Sequence, residues 1–89
     1  MAELAFSPEA DDLLTSMEDD PARRPCAGRL NSALDALEAD PGDVRNRRRC
    51  FHTIGLWGIA VVCGEEEWLI LWEPLEVDVV VVHHIVPAP

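Results

Sequence analysis

The chain has 89 residues, a formal net charge of −10 at pH 7, and 48% apolar residues. This length supports one domain over residues 1–89, and a domain of this size buries only about 60% of its unfolded surface. The apolar content excludes an intrinsically disordered chain, and no apolar run reaches the roughly 18–20 residues that a membrane helix needs.

The three cysteines, Cys26, Cys50 and Cys63, are odd in number and irregularly spaced. We therefore expect reduced thiols rather than a disulfide framework, as is usual in cytosolic proteins. The segment Met1–Phe6 carries an acid where a secretory signal carries positive charge, so no signal peptide is expected. Together these features predict a cytoplasmic protein that does not associate with a membrane.

A short first strand is predicted at Leu4–Phe6, and it ends at a helix-start signal. Ser7 can cap the first free N–H groups, Pro8 suits the first helical position, and Glu9 lies at the positive end of the helix dipole. Apolar residues then recur with helical spacing, at Ala10, Leu13, Leu14 and Met17. The acidic sequence Glu18–Pro21 ends this helix.

A second helix is predicted over roughly Arg23–Ala39, where Pro25 can delay the first turn. Its apolar residues keep the helical spacing, at Cys26, Leu30, Ala33, Leu34 and Leu37. The segment Asp40–Asp43 supplies the turn chemistry that ends it. Two successive helices predict a helical hairpin packed on one face of a sheet.

Strand-like segments follow the helices. The arginine-rich segment Val44–His52 leads into a meander of three further strands, at Gly55–Val62, Glu67–Trp72 and Asp78–Val86. Cys63–Glu66 is a predicted turn, and Glu73–Glu76 is predicted to break the strand before it. The resulting order is β-α-α-β-β-β-β, an α+β fold with an N-terminal helical hairpin on a mostly antiparallel twisted sheet.

Five segments carry a family resemblance. They are Phe6–Ala10, Leu34–Pro41, Gly55–Ile59, Trp68–Glu73 and Val82–Ile85. In this order they resemble the S-P-E-A helix start, the L-x-x-L-x-x-D-P helix end, and the G-x-W-R-I, Y-R-I-L-Y-E and V-x-x-I-x-H strands of the RelE/ParE toxin superfamily. The resemblance covers nearly the whole chain and is to an acidic, divergent member of that superfamily.

The chain also departs from the family pattern. Gly58 and Leu69 stand where the family tends to have arginine, and there is no tyrosine, which several ribonuclease members use near the C-terminus. The family is usually basic, whereas the basic residues here are seven arginines, four of them within Val44–His52. A net acidic balance weakens long-range attraction to phosphate, but a local cationic strip can still bind an anion.

The resemblance implies the toxin component of a type II toxin–antitoxin system. One alternative is a RelE-like, ribosome-dependent mRNA endonuclease. The other is a ParE-like or non-toxic toxin-fold protein that binds a protein partner without catalysis, and the two missing arginines favour it. The implied partners are a cognate antitoxin and, for the enzyme, the ribosome and mRNA, in a homodimer or a toxin–antitoxin hetero-oligomer.

RNA cleavage by 2′-OH attack needs a proton acceptor, positive charge for the developing phosphorane, and a proton donor. If Val44–His52 is extended, Arg45, Arg47 and Arg49 share one face and can bind RNA phosphates. The alternative is that these arginines pair with helix carboxylates and keep an edge strand soluble.

His83 and His84 are the candidate catalytic acid and base. Because adjacent strand residues face opposite sides, only one of them is expected to reach a given site. The alternative places one histidine under the helices and the other in solvent. A carboxylate base within Glu65–Glu67 is a further candidate.

No cofactor or metal is expected. Metal-compatible atoms occur in Cys50, His52, Cys63 and His83, but their spacing matches no zinc motif. Trp57, Trp68 and Trp72 are expected in the core or on a face of the sheet, although stacking on a nucleic-acid base is an alternative role.

Overall fold

The computed structural model describes residues 3–42, 49–51 and 55–87, and only the backbone of residues 49–51. The elements in chain order are β1 (Glu3–Phe6), α1 (Pro8–Asp19), α2 (Arg24–Ala39), β2 (Arg49–Phe51), β3 (Leu56–Cys63), β4 (Glu66–Glu76) and β5 (Val79–Pro87). The predicted α+β class is confirmed, and these elements follow the predicted order. Apart from Arg49–Phe51, the predicted strand Val44–His52 lies outside the described residues.

The strands form a mixed sheet in the order β1-β5-β4-β3-β2. β1 pairs with β5 in parallel, whereas the pairs β5–β4, β4–β3 and β3–β2 are antiparallel. The first strand of the chain is therefore an edge strand beside the last one. Within the described ranges, no helix is long and apolar enough to cross a bilayer.

The main core lies between the helices and one face of the sheet. Both helices contribute their apolar stripes, and α1 and α2 also contact each other. The largest fully buried side chains are Trp72, Met17, Leu30, Leu37, Ile70 and Val82. Trp68 is buried in the same core and Trp57 packs against it, so the expected positions of the three tryptophans are confirmed.

The other face of the sheet carries a smaller apolar cluster. Leu56, Leu69 and Leu71 are buried there, and the half-buried Val86 packs against them. These residues alternate along β3, β4 and β5 with the residues of the main core. The two clusters explain why β4 reads as apolar on both faces.

The predicted strand break at Glu73–Glu76 is wrong, since β4 continues through Pro74 to Glu76. Pro74 lies opposite Val80, next to a shift in the β4–β5 register. Proline lacks an N–H group and is tolerated where a strand pairs on one side only. The described β3–β4 pairing ends at Trp72, so this part of β4 pairs with β5 alone.

The expectation of three reduced thiols is also wrong, because Cys26 and Cys63 form a disulfide. Packing of α2 on β3 brings their Cα atoms to 5.3 Å, within the range that a disulfide can bridge. The two residues are 37 positions apart in the chain, a spacing that matches no sequence motif. The side chain of Cys50 lies outside the described part of the structure.

Ser7 joins the start of α1 to the middle of β5. Its backbone N–H donates to the carbonyl of Val82 at 3.0 Å, and its hydroxyl donates to the carbonyl of His83 at 2.6 Å. The same hydroxyl accepts from the N–H of Ala10 at 3.2 Å, as an N-cap does. One side chain therefore satisfies groups in both a helix and a strand.

We expect Ser7→Ala to lower the free energy of unfolding by about 1–2 kcal/mol, because it removes the cap and leaves the His83 carbonyl without this donor. Ser16→Ala is the matched control, since Ser16 is an exposed residue of the same helix. Its effect should stay within about 0.5 kcal/mol. Urea unfolding followed by circular dichroism measures both, and equal effects would contradict the role of Ser7.

Candidate acid–base site at the β5 bulge

An irregularity in β5 determines where its two histidines lie. Leu71 of β4 lies opposite His84, but the next residue, Trp72, lies opposite Val82. His83 is therefore an extra residue on β5, which is the definition of a β-bulge. A bulge redirects side chains relative to strict alternation.

The core residues of β5 show the same shift. Val80 and Val82 are two positions apart, as alternation requires, but the next core residue is Ile85, three positions further on. The two residues between Val82 and Ile85 are His83 and His84, and both are only partly buried. The bulge thus keeps both histidines out of the core.

The two imidazole rings lie close together, with 6.3 Å between their centroids. The bulge interrupts the strict alternation on which the expectation of opposite faces rests. Neither histidine belongs to the core under the helices. A ligand that spans the 6.3 Å between the ring centroids would contact both rings.

Each imidazole has a carboxylate neighbour from a different element. Nε2 of His83 lies 2.7 Å from Oε1 of Glu73 on β4, a hydrogen-bond distance. Nδ1 of His84 lies 3.6 Å from Oε2 of Glu9 in the first turn of α1, so these groups form an ion pair when the ring is protonated. The first contact leaves Nδ1 of His83 for a ligand, and the second leaves Nε2 of His84.

A carboxylate beside an imidazole fixes the orientation of the ring. Glu73 and Glu9 were not among the residues singled out from the sequence. Two consecutive polar residues inside an otherwise apolar final strand are the signal of the bulge. Nothing in the sequence indicates which carboxylates it meets, since Glu9 is 75 positions from His84 in the chain.

The predicted phosphate-binding arginines are only partly placed. Arg45 and Arg47 lie outside the described residues, and Arg49 is described by its backbone, at the start of β2. Arg49 lies opposite Gly58, Gly58 opposite Leu71, and Leu71 opposite His84. Arg49 and His84 therefore occupy one row across the sheet, about 14 Å apart over three strand spacings.

The candidate base within Glu65–Glu67 lies elsewhere. This segment is at the start of β4, and seven residues of strand, roughly 24 Å, separate Glu66 from Glu73. Oε2 of Glu66 accepts a hydrogen bond from the indole N–H of Trp68 at 3.1 Å. These glutamates are not brought together with the histidines.

Among the described residues, no group of three or more histidine, cysteine, aspartate or glutamate side chains is arranged to hold a metal ion. Of the metal-compatible residues named from the sequence, Cys63 is bonded to Cys26, His83 contacts Glu73, and His52 lies outside the described ranges.

Comparison with protein-family models gave no match, and neither the curated proteins nor the solved structures contain a significant match to the chain.

We expect the Nε2–H proton of His83 to be observable by NMR at a pH where the ring is neutral, because the bond to Glu73 protects it and fixes the tautomer. Glu73→Ala should abolish this signal. Glu76→Ala, the same change three residues along β4, should leave it intact. A neutral His83 protonated on Nδ1 in the wild-type protein would contradict the hydrogen bond.

Proposed function

We propose that the chain is the toxin of a type II toxin–antitoxin system, of the RelE kind, and that it cleaves mRNA on the ribosome in the cytoplasm. The observation that carries the proposal is the pair of imidazoles at the β5 bulge, each beside a carboxylate. Acid–base cleavage of RNA needs one group to accept a proton and another to donate one at the same phosphodiester. Two neighbouring histidines meet that need.

In the proposed reaction, Nδ1 of His83 accepts the proton of the ribose 2′-OH, while Glu73 stabilises the resulting imidazolium. The 2′-oxygen attacks phosphorus, and the bond to the 5′-oxygen breaks. Nε2 of protonated His84, paired with Glu9, gives its proton to the leaving oxygen. The products are a 2′,3′-cyclic phosphate and a free 5′-OH, and proton exchange with water restores both histidines.

Positive charge for the phosphorane is assigned to Arg45, Arg47 and Arg49. The backbone row from His84 through Leu71 and Gly58 to Arg49 supports this assignment for Arg49. A separation of about 14 Å between the backbones suits a guanidinium that holds a phosphate a nucleotide or two from the scissile bond. The ribosome would supply the orientation that a small open site does not.

The element order and the sequence segments also support the proposal. A helical hairpin covers one face of a mixed sheet, in the order β-α-α-β-β-β-β. Its helix-start signal at Ser7 and the histidines of Val82–Ile85 are two of the segments that resemble the RelE/ParE superfamily, and the hydroxyl of Ser7 bonds directly to the carbonyl of His83. The proposed partner is a cognate antitoxin that covers this site.

A second function, of the ParE or non-toxic kind, is favoured by charge. The chain carries −10 overall, and Glu73 and Glu9 flank the two histidines. These carboxylates repel phosphate, so a protein partner with a basic surface would bind more readily than RNA. In that case the fold acts through binding alone, and the histidines are not catalytic.

We expect induction of the chain alone in a bacterial host to stop incorporation of labelled amino acids within minutes, with cleaved mRNA ends that carry cyclic phosphate. His83→Ala/His84→Ala should reduce the cleavage rate by about 10²–10⁴-fold, the usual contribution of acid–base groups. Arg45→Ala/Arg47→Ala/Arg49→Ala should reduce it as well, because these residues hold the phosphates.

The matched control is Arg23→Ala/Arg24→Ala/Arg29→Ala, which removes the same charge from the start of α2. This variant should still arrest translation, provided that circular dichroism shows it to be folded. Growth arrest without mRNA cleavage, unchanged by the histidine substitutions, would favour action by binding a protein target. Normal growth with folded protein would contradict toxicity in that host.

A further inference from the structure

A second feature lies far from the histidines, where α2 begins and β3 turns into β4. A groove of about 510 Å³ opens there, lined in part by Arg23, Cys26, Arg29, Cys63, Glu65 and Glu66. Its walls include the disulfide between Cys26 and Cys63, and both cysteines are partly exposed. Cys63 lies opposite Glu66, roughly 24 Å along β4 from Glu73, so the proposed RNA site does not include the groove.

The disulfide joins two surface segments whose elements are already held by the core. Ala27, Leu30, Leu34 and Leu37 fix α2 to the sheet, and Ile59 and Val61 fix β3. The disulfide adds a covalent link between the first turn of α2 and the end of β3. Both cysteines also pack against the main core, and opening the bond would leave α2 and β3 held by these buried residues.

Both sulfur atoms line the groove, so a thiol that enters it can reach either of them. Cys26 is the third residue of α2, where the N–H groups of Arg24 and Ala27 donate to the carbonyls of Asp20 and Arg23. Cys63 ends β3, and the neighbouring carbonyl of Val62 accepts a hydrogen bond from Nη1 of Arg29 at 3.1 Å. Either sulfur can therefore be attacked in thiol–disulfide exchange.

We propose that Cys26–Cys63 is a reversible thiol–disulfide site that a dithiol reductant opens from the groove. A thiolate of the reductant attacks one sulfur of the pair, and the electron pair of the S–S bond leaves on the other. The second thiol of the reductant then displaces the attacked cysteine from the mixed disulfide. Two electrons and two protons pass to the protein, and the reductant leaves as its own disulfide.

The resolving thiol must come from the reductant, because Cys50 is too distant to supply it. The backbone of Cys50 lies opposite Trp57, six residues of strand and about 20 Å from Cys63. Reduction would break the covalent link between two segments, residues 22–26 and the turn at residues 63–66. The width of the groove between them then depends on the redox state, whatever function the histidines serve.

The test uses the full chain with Cys50→Ser, so that the two remaining cysteines are those of the groove. The oxidised protein is equilibrated in native buffer with mixtures of reduced and oxidised dithiothreitol, quenched with a maleimide and weighed by mass spectrometry. We expect both cysteines to become labelled together, while the helical circular dichroism stays unchanged. Hydrogen exchange should rise in residues 22–26 and 63–66 and stay low around Leu30–Leu37.

The variant Cys26→Ser/Cys63→Ser, as a permanently open form, should reproduce the hydrogen exchange of the reduced protein. Labelling before any reductant is added would overturn the disulfide. If labelling requires denaturant, or if reduction causes loss of helix, the bond is a structural crosslink. Either result would overturn the proposal of a reversible site.

Discussion

The extra residue in β5 is the constraint on which the rest of the site depends. β5 pairs with β1 on one side and with β4 on the other, so its register is fixed over Val79–Val82 from both sides. Val82 and Ile85 both belong to the core, and strict alternation cannot place residues three positions apart on one face. The bulge at His83 resolves this conflict. Apolar burial therefore determines where both imidazoles lie.

Much of this architecture was predictable, because it rests on local chemistry. Ser7 and Pro8 mark the start of α1, and the apolar spacing marks both helices. The predicted turn at Cys63–Glu66 contains Gly64, which adopts a φ of 62° that glycine permits. The bulge was not predicted, since Val79–Val82 are four identical residues that fit either face. The disulfide was missed because only the packing of α2 on β3 brings its cysteines together.

The site combines favourable and unfavourable electrostatics. Glu73 and Glu9 orient the two imidazoles, but they also add negative charge where an RNA phosphate would bind. The four arginines of residues 45–49 supply local positive charge in an acidic chain. Of these, Arg49 has its backbone in the same row across the sheet as His84. If the arginines outweigh the two carboxylates at the site, RNA binding and cleavage are favoured. If the carboxylates outweigh the arginines, binding of a basic protein partner is favoured. The fold class alone is compatible with both.

The β4–β5 register is the most direct test of the bulge, and NMR measures it through backbone proton contacts across the strands. With His83 as the extra residue, Trp72 should show cross-strand contacts to Val82, and Leu71 should show them to His84. A continuous register would instead place Trp72 opposite His83. That result would turn one imidazole under the helices, separate it from the other, and contradict an acid–base pair at this edge of the sheet.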